Sequence, residues 1–185
     1  MTPAQRRRIS KYLSFILRHR PDKGGIELDA EGWVCIEDVL RALDRRGFRV
    51  DRRALDEVVR TNDKQRFCVD ASSSRIRAAQ GHSIEVDLRL EPIEPPELLY
   101  HGTVDRFLPS IRTQGLLKQK RRHVHLSPDE ATASAVGGRR GRPVVLVIRA
   151  AQMHGQGYAF FLSDNGVWLT EHVPPRFIGF PDPAT

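Results

Sequence analysis

Cysteine is scarce in this chain: only Cys35 and Cys68 occur in 185 residues, with no CxxC pair and apolar neighbours around each. That excludes a disulfide framework and a thiolate metal site, and both cysteines read as buried small hydrophobes. Long hydrophobic runs are also missing. The longest aliphatic stretch, Val144 to Ile148, falls far short of the ~20 residues that a membrane-spanning helix needs. Met1 to Ser10 carries Arg6, Arg7 and Arg8 with no apolar block after them, so a secretory signal is not expected and the reading is a cytoplasmic protein with no membrane partner. No GxxxxGK[ST] loop is present and no GxGxxG follows a strand, which leaves P-loop and Rossmann phosphate binding without support. Neither a Ser/His/Asp order nor a paired-carboxylate pattern stands out.

Acidic charge is in deficit. Lys and Arg number 30 against 23 Asp and Glu, a formal charge of +7, which suits a polyanionic partner without naming one. The excess is +5 over residues 1–90 and +2 over the remainder. Arginine outnumbers lysine, and its planar fork matches phosphate oxygens bidentately where lysine offers a point charge. A GC-rich genome produces the same bias.

The most informative stretch is Leu17-Arg18-His19-Arg20-Pro21-Asp22. Ile9, Tyr12, Leu13, Ile16 and Leu17 recur at helical spacing and form one apolar stripe. Pro21 is expected to end that helix, which leaves Arg18 and His19 in or just beyond its last turn, off the buried stripe. Two readings stand side by side. Cations near a helix C-terminus are favoured by the macrodipole at roughly 0.3–1 kcal/mol each without any ligand, and the same constellation makes a docking place for an anion.

Glu91 to Glu97 holds three prolines and three glutamates and reads as a semi-rigid linker between a lobe over 1–90 and a lobe over 98–185. In the first lobe, Ile26 to Ile36 is expected to form a hairpin turning at Asp29-Ala-Glu-Gly32. Val39, Leu40 and Leu43 mark a helix that stops at Gly47, and Asp51 caps a third helix carrying Leu55, Val58 and Val59. Arg66 to Val69 and Ile76 to Ala79 follow as strands around Ser72–Ser74. Three short helices and a β-hairpin describe a winged-helix module. The second lobe alternates short strands (Leu98 to His101, His123 to Leu126, Val144 to Ile148, Phe160 to Ser163, Val167 to Thr170) with helices near Val104 to Thr113 and Pro128 to Val136. That makes the fold class α+β, with a mainly antiparallel or mixed sheet in this lobe.

Three smaller features of the second lobe stay open between chemistry and structure. Gly137-Gly-Arg-Arg-Gly141 either cradles phosphate or makes a solvated turn. His123 and His125 would share a strand face, but no Cys or carboxylate joins them at ligand spacing, so no metal is expected. His101-Gly-Thr103 at a strand end pairs a flexible backbone with two hydrogen-bonding side chains. Phe161, Trp168 and Phe177 read as core rather than base-stacking platforms.

Taken in order, Leu17-Arg-His-Arg-Pro21, Asp63-Lys-Gln-Arg-Phe67, His101-Gly-Thr103, Arg122-His-Val-His-Leu-Ser127, Val136-Gly-Gly-Arg-Arg-Gly141 and Asn165-Gly-Val-Trp-Leu-Thr170 resemble the NAD-dependent RNA (tRNA) 2′-phosphotransferases over nearly the whole chain. The resemblance implies an N-terminal winged-helix RNA lobe, a C-terminal ADP-ribosyltransferase-like lobe and an active site in the cleft between them. It implies an Arg, His, Arg, Arg tetrad on Arg18, His19, Arg66 and Arg139, with Arg140 as the competing assignment for the last. It further implies NAD contacts at His101, Gly102, Thr103, His125, Ser127, Asn165 and Val167, with the Gly102 backbone gripping the nicotinamide amide. Arg18, Arg20, Lys64, Arg66 and Arg139 would hold RNA phosphate.

The implied reaction has two steps. RNA 2′-phosphate attacks C1 of the nicotinamide ribose, and the neighbouring ribose hydroxyl then attacks phosphorus. The products are 2′-hydroxyl RNA, ADP-ribose 1″,2″-cyclic phosphate and nicotinamide. NAD is a co-substrate, no metal is implied, the partner is RNA with an internal 2′-phosphate (tRNA among the candidates), and the protein reads as a monomer. Within the tetrad only His19 is able to carry a proton, because a guanidinium keeps its own up to a pH of about 12. Two other classes remain: a non-catalytic winged-helix nucleic-acid-binding regulator with a ligand-sensing domain, and an ADP-ribosyltransferase acting on nucleic-acid phosphate ends.

Overall fold

Thr2 starts the first helix. Its hydroxyl accepts from the Gln5 N–H and its own N–H donates to the Gln5 side chain, a reciprocal capping box with Pro3 at the first helical position. The computed structural model describes residues 1–62 and 64–181, all but the side chain of Arg140. Asp63 of the 63–67 motif and the Arg140 alternative therefore lie outside the described residues. By contact density the chain divides into two compact units, Met1–Arg89 and Leu90–Thr185.

In the first unit, α1 (Pro3–Arg18) buries Ile9, Leu13, Ile16 and Leu17. It ends before Pro21, which then occupies the first position of a single-turn helix, α2 (Pro21–Gly24). Proline has no N–H to offer an interior helical bond, so it both excludes continuation of α1 and suits the start of α2. The expected hairpin over 26–36 is corrected. Asp29 does make the turn, accepting from Glu31 and Trp33 N–H through its carboxylate and from Gly32 N–H through its carbonyl. The Asp29 N–H donates to Trp33 O at 2.9 Å, but the Asp29 carboxylate takes the Trp33 N–H that would return that bond, and only β1 (Val34–Cys35) is a strand, paired with β3.

Helix α3 (Ile36–Arg45) precedes Gly47 at φ +84°, a left-handed turn suited to glycine. The Asp51 carboxylate accepts from Ala54 N–H at 2.8 Å and caps α4 (Arg52–Arg60). Strands β2 (Phe67–Asp70) and β3 (Arg75–Ala78) form an antiparallel hairpin, and the sheet order is β1-β3-β2. Leu13, Val39, Leu43, Leu55 and Ile76 are fully buried together, each contributing roughly 1.5–3 kcal/mol relative to exposure. The cysteines depart from expectation: Cys35 is exposed and Cys68 half-buried. The strand period of two points Val34 and Phe67 inward and turns their cysteine neighbours the other way.

In the second unit, β4 (Leu98–Val104) pairs with β7 (Pro143–Arg149) along its whole length, and β11 (Ile178–Gly179) flanks β7. A second sheet has the order β6 (Val124–Leu126), β9 (Trp168–Thr170), β8 (Phe161–Leu162). A two-stranded sheet pairs β5 (Leu116–Leu117) with β10 (His172–Val173). Every one of these pairings is antiparallel. Helices α5 (Leu108–Gln114), α6 (Glu130–Gly137) and α7 (Ala150–His154) complete the unit, which together with the first makes the chain α+β.

Phe177 lies in this core, fully buried, beside Phe160, Leu99 and Leu146. Residues 91–97 are anchored on the same unit: Ile93 N–H donates to Phe160 O at 2.9 Å, Pro92 bridges to Phe161, and Pro95 is buried. Among the described residues, no helix is long and apolar enough to cross a membrane.

Gly102 organises the second unit. A Cβ placed there would lie 1.8 Å from Ala133 O and 2.8 Å from Gly137 N, and one on Gly137 would lie 2.8 Å from Thr103 O. Helix α6 therefore packs backbone against backbone on β4, which only paired glycines permit. The space that the missing Gly102 side chain frees is filled by α6. Gly102→Ala is expected to lower the second unit's stability by about 3 kcal/mol or more, read as a drop in the urea midpoint. An unchanged midpoint would show that the packing is looser than described.

Candidate active site

The first unit gathers Arg18, His19 and Arg66 from distant parts of the chain. Arg18 is the last residue of α1 and His19 its C-cap. The Arg18 guanidinium reaches the backbone carbonyl of Arg66 at 3.4 Å, while the Arg18 carbonyl accepts from Ser83 N–H at 2.9 Å. Gly81, at φ +85°, turns the chain close beside that guanidinium, 3.6 Å from where its Cβ would be. His19 Nδ1 lies 2.9 Å from Ser83 Oγ. A hydroxyl both donates and accepts, so Ser83 orients the ring in either tautomer and leaves Nε2 outside that bond.

Arg66 is held by Asn62. The Asn62 Oδ1 accepts from Arg66 Nη1 at 3.1 Å and from the N–H groups of Lys64 and Arg66, while its Nδ2 donates to Ser10 Oγ of α1 at 2.7 Å. Asn62 is buried, 8% exposed, whereas Lys64 is exposed. Among the partners of Arg18 and Arg66 are two neutral acceptors, a carbonyl and an amide oxygen, which locate the guanidinium groups. Arg20 differs. Its Nε and Nη2 grip Asp22 bidentately at 2.8 and 2.7 Å, and that hydrogen bond holds the Asp22 carboxyl below the usual carboxylate range. Ser83 and Asn62 were not legible as functional residues; an Asn-Asp turn signal at 62–63 was the only pointer.

In the second unit, Tyr100 and Ser127 exchange backbone hydrogen bonds at 2.9 and 2.8 Å, joining the end of β6 to β4. That join brings His101, His125 and Ser127 together. His101 Nδ1 is 3.0 Å from His125 O; a carbonyl only accepts, so Nδ1 carries a proton, which in the neutral ring makes Nε2 the acceptor. Arg121 Nη1 donates to His125 Nδ1 at 2.9 Å, which places the neutral ring's proton on Nε2. Thr103 is buried, two residues along the same face of β4 as His101.

Val167 precedes β9 one step beyond the last paired residues, Leu126 and Trp168, on the side of Ser127. Its N–H donates to Ser163 Oγ at 3.1 Å, and that hydroxyl also lies 2.9 Å from Asn165 Oδ1. Arg139 is exposed in the one-turn helix that follows α6. It belongs to the second unit, whereas the other three tetrad residues belong to the first. Among the described residues, no group of three His, Cys, Asp or Glu is placed to hold a metal ion.

These features define a class: a two-unit α+β protein with an arginine and histidine cluster on one unit and a histidine-lined strand junction on the other. A family model described as RNA 2′-phosphotransferase, Tpt1/KptA family, matches residues 4–172. Relatives named probable RNA 2′-phosphotransferase occur in Streptomyces griseus (53% identical, covering 92% of this chain and 94% of the relative), Streptomyces coelicolor (55%; 95% and 96%) and Nostoc punctiforme (52%; 92% and 94%). The chain belongs to the RNA 2′-phosphotransferase family, a family of transferases, and the non-catalytic regulator is set aside.

Asn62→Ala removes a buried acceptor that three donors share, and is expected to cost about 2 kcal/mol; a variant with native stability would contradict the role of Asn62. The His123 ring, tilted against Phe161 at 5.6 Å, is pushed below the ordinary histidine value by burial and by the neighbouring Arg122 charge. The fold thus favours its neutral form. Its contribution to stability is complete above the ordinary histidine range near pH 6.5 and is lost as pH falls through it. Unfolding midpoints between pH 7.5 and 5 should fall less steeply in His123→Phe than in the native chain; parallel curves would rule the effect out.

Proposed function

We propose that this protein removes an internal 2′-phosphate from RNA by transferring it to NAD. The observation that carries the reading is the Arg18, His19 and Arg66 cluster, drawn together by Ser83, Asn62 and the Arg66 carbonyl. In this reading the first unit is a winged-helix RNA lobe and the second an ADP-ribosyltransferase-like lobe. The protein acts as a cytoplasmic monomer, with tRNA among its substrates.

The residues of the second unit suit a nucleotide. The acceptor Nε2 of His101, with the polar groups of Ser127 and Asn165, would hold ribose hydroxyls, and Thr103, His125 and Val167 would line the same site, with the Gly102 backbone on the amide. NAD supplies an electrophilic anomeric carbon with nicotinamide as leaving group. Arg18 and Arg66, with Arg20 and Lys64 near them, receive the RNA 2′-phosphate; for Arg20 this means exchanging Asp22 for the phosphate. Arg139 adds a further guanidinium. Bringing one phosphate against another concentrates negative charge, and fixed guanidinium groups offset it while aligning oxygens for attack.

In the first transfer a phosphate oxygen bonds to the anomeric carbon as the bond to nicotinamide breaks. A 2′-phosphate is already ionised at neutral pH, with a second pKa of about 6, so no carboxylate base is required to activate it. In the second transfer the adjacent ribose hydroxyl attacks phosphorus and the bond to the RNA 2′-oxygen breaks. His19 moves the proton, at Nε2, either from the attacking hydroxyl or to the departing 2′-oxygen. Ser83 holds the ring for that transfer. RNA with a free 2′-hydroxyl and ADP-ribose 1″,2″-cyclic phosphate result.

Incubation with NAD and a short RNA bearing one internal 2′-phosphate should release nicotinamide and yield the cyclic phosphate. Phosphate remaining on the RNA would defeat the reading, and ADP-ribose left attached would favour transfer without the second step. His19→Ala and Arg139→Ala are expected to slow the second transfer more than the first, so that ADP-ribosylated RNA accumulates on gels. Equal loss of both steps, with no such species, would overturn these roles.

A further inference from the structure

A basic groove opens in the first unit between the N-terminal half of α1 and the connection from α3 to α4, with a volume of about 1280 Å³. Five arginines line it, Arg8, Arg41, Arg45, Arg46 and Arg49, against two aspartates. Their states differ. Arg41 pairs with Asp38, and Arg45 donates to Gly24 O at 2.6 Å. Arg8 and Arg46 instead lie over aromatic rings, Phe48 at 5.6 Å and Tyr12 at 6.0 Å, and Arg49 is exposed. Among the described residues no carboxylate pairs with Arg8, Arg46 or Arg49. Ring contacts spread a guanidinium flat and limit its rotamers while leaving its N–H edge to face a ligand. Of the two aspartates, Asp51 is already engaged as the cap of α4.

The groove is separate from the Arg18 cluster. Arg8 and Arg18 stand ten residues apart on one helix, about 15 Å along its axis, too far for one phosphate to touch both. We propose that this groove holds the sugar-phosphate backbone of RNA flanking the reacting nucleotide, so that one polynucleotide bridges the two arginine clusters along α1. The inference rests on the RNA reading above. Charge complementarity favours a polyanion, and shape selects among polyanions: a flexible strand lies in a recess, whereas a bilayer is flat.

The test uses the whole protein with Arg8, Arg46 and Arg49 all changed to Gln. Anisotropy binding is measured with a dodecanucleotide and with a trinucleotide, each carrying one internal 2′-phosphate. The expected result is that the dodecamer binds on the order of tenfold more weakly and that its log–log salt slope falls by about 2, as expected for three lost single-strand phosphate contacts. The trinucleotide, too short to reach the groove, should be affected far less, and its retained binding shows that the variant folds. Equal weakening for both lengths, or none for either, overturns the inference. Loss of binding to vesicles containing phosphatidylserine with dodecamer affinity intact overturns it in favour of a membrane surface. Because binding is read without turnover, a protein that shows the length effect yet leaves the 2′-phosphate in place keeps this inference and refutes only the catalytic reading.

Discussion

Like charges repel, and an anion site made of guanidinium groups exists only if the fold holds them near one another before the anion arrives. In the first unit that work falls to the junction where α1 ends. Arg18 is fixed through its side chain to the Arg66 carbonyl and through its own carbonyl to Ser83. Arg66 leans on Asn62, which is itself tied back to α1 through Ser10. Preorganisation of this kind is how a protein makes electrostatic stabilisation cheap at the moment of reaction.

The second unit meets a geometric constraint instead. Gly102 and Gly137 let α6 lie directly on β4, and the strand then presents its other face, with His101 and Thr103, toward the junction with β6. The helix that this contact seats ends two residues before Arg139. One close backbone approach thus settles both the strand that carries the histidine and the turn that carries the arginine.

Much of this was legible in the sequence, and for physical reasons. The α1 stripe, the Asp51 cap and the Ser72–Ser74 turn are local signals, and they were read correctly to within a few residues. The hairpin at 26–36 misled because the Asp29 carboxylate takes the Trp33 N–H that a second strand would have paired. Cys35 misled because an apolar neighbourhood does not say which face of a two-residue strand is inward. Strands β5, β10 and β11 and the short α7 are too brief for any periodicity to show. Within the site, motif residues announce themselves, whereas Ser83 and Asn62 act through contacts 64 residues and 52 residues away in the chain, and no local pattern encodes such partners.

The central claim is that the cluster at the end of α1 is what recognises the 2′-phosphate. The most direct measurement is a titration of arginine side-chain Nε–H resonances, assigned by substitution, with two RNAs identical but for that phosphate. The account predicts that the Arg18 and Arg66 signals shift with the phosphorylated RNA and stay nearly still with its dephosphorylated twin. Equal shifts with both RNAs, or movement confined to other arginines, would contradict it.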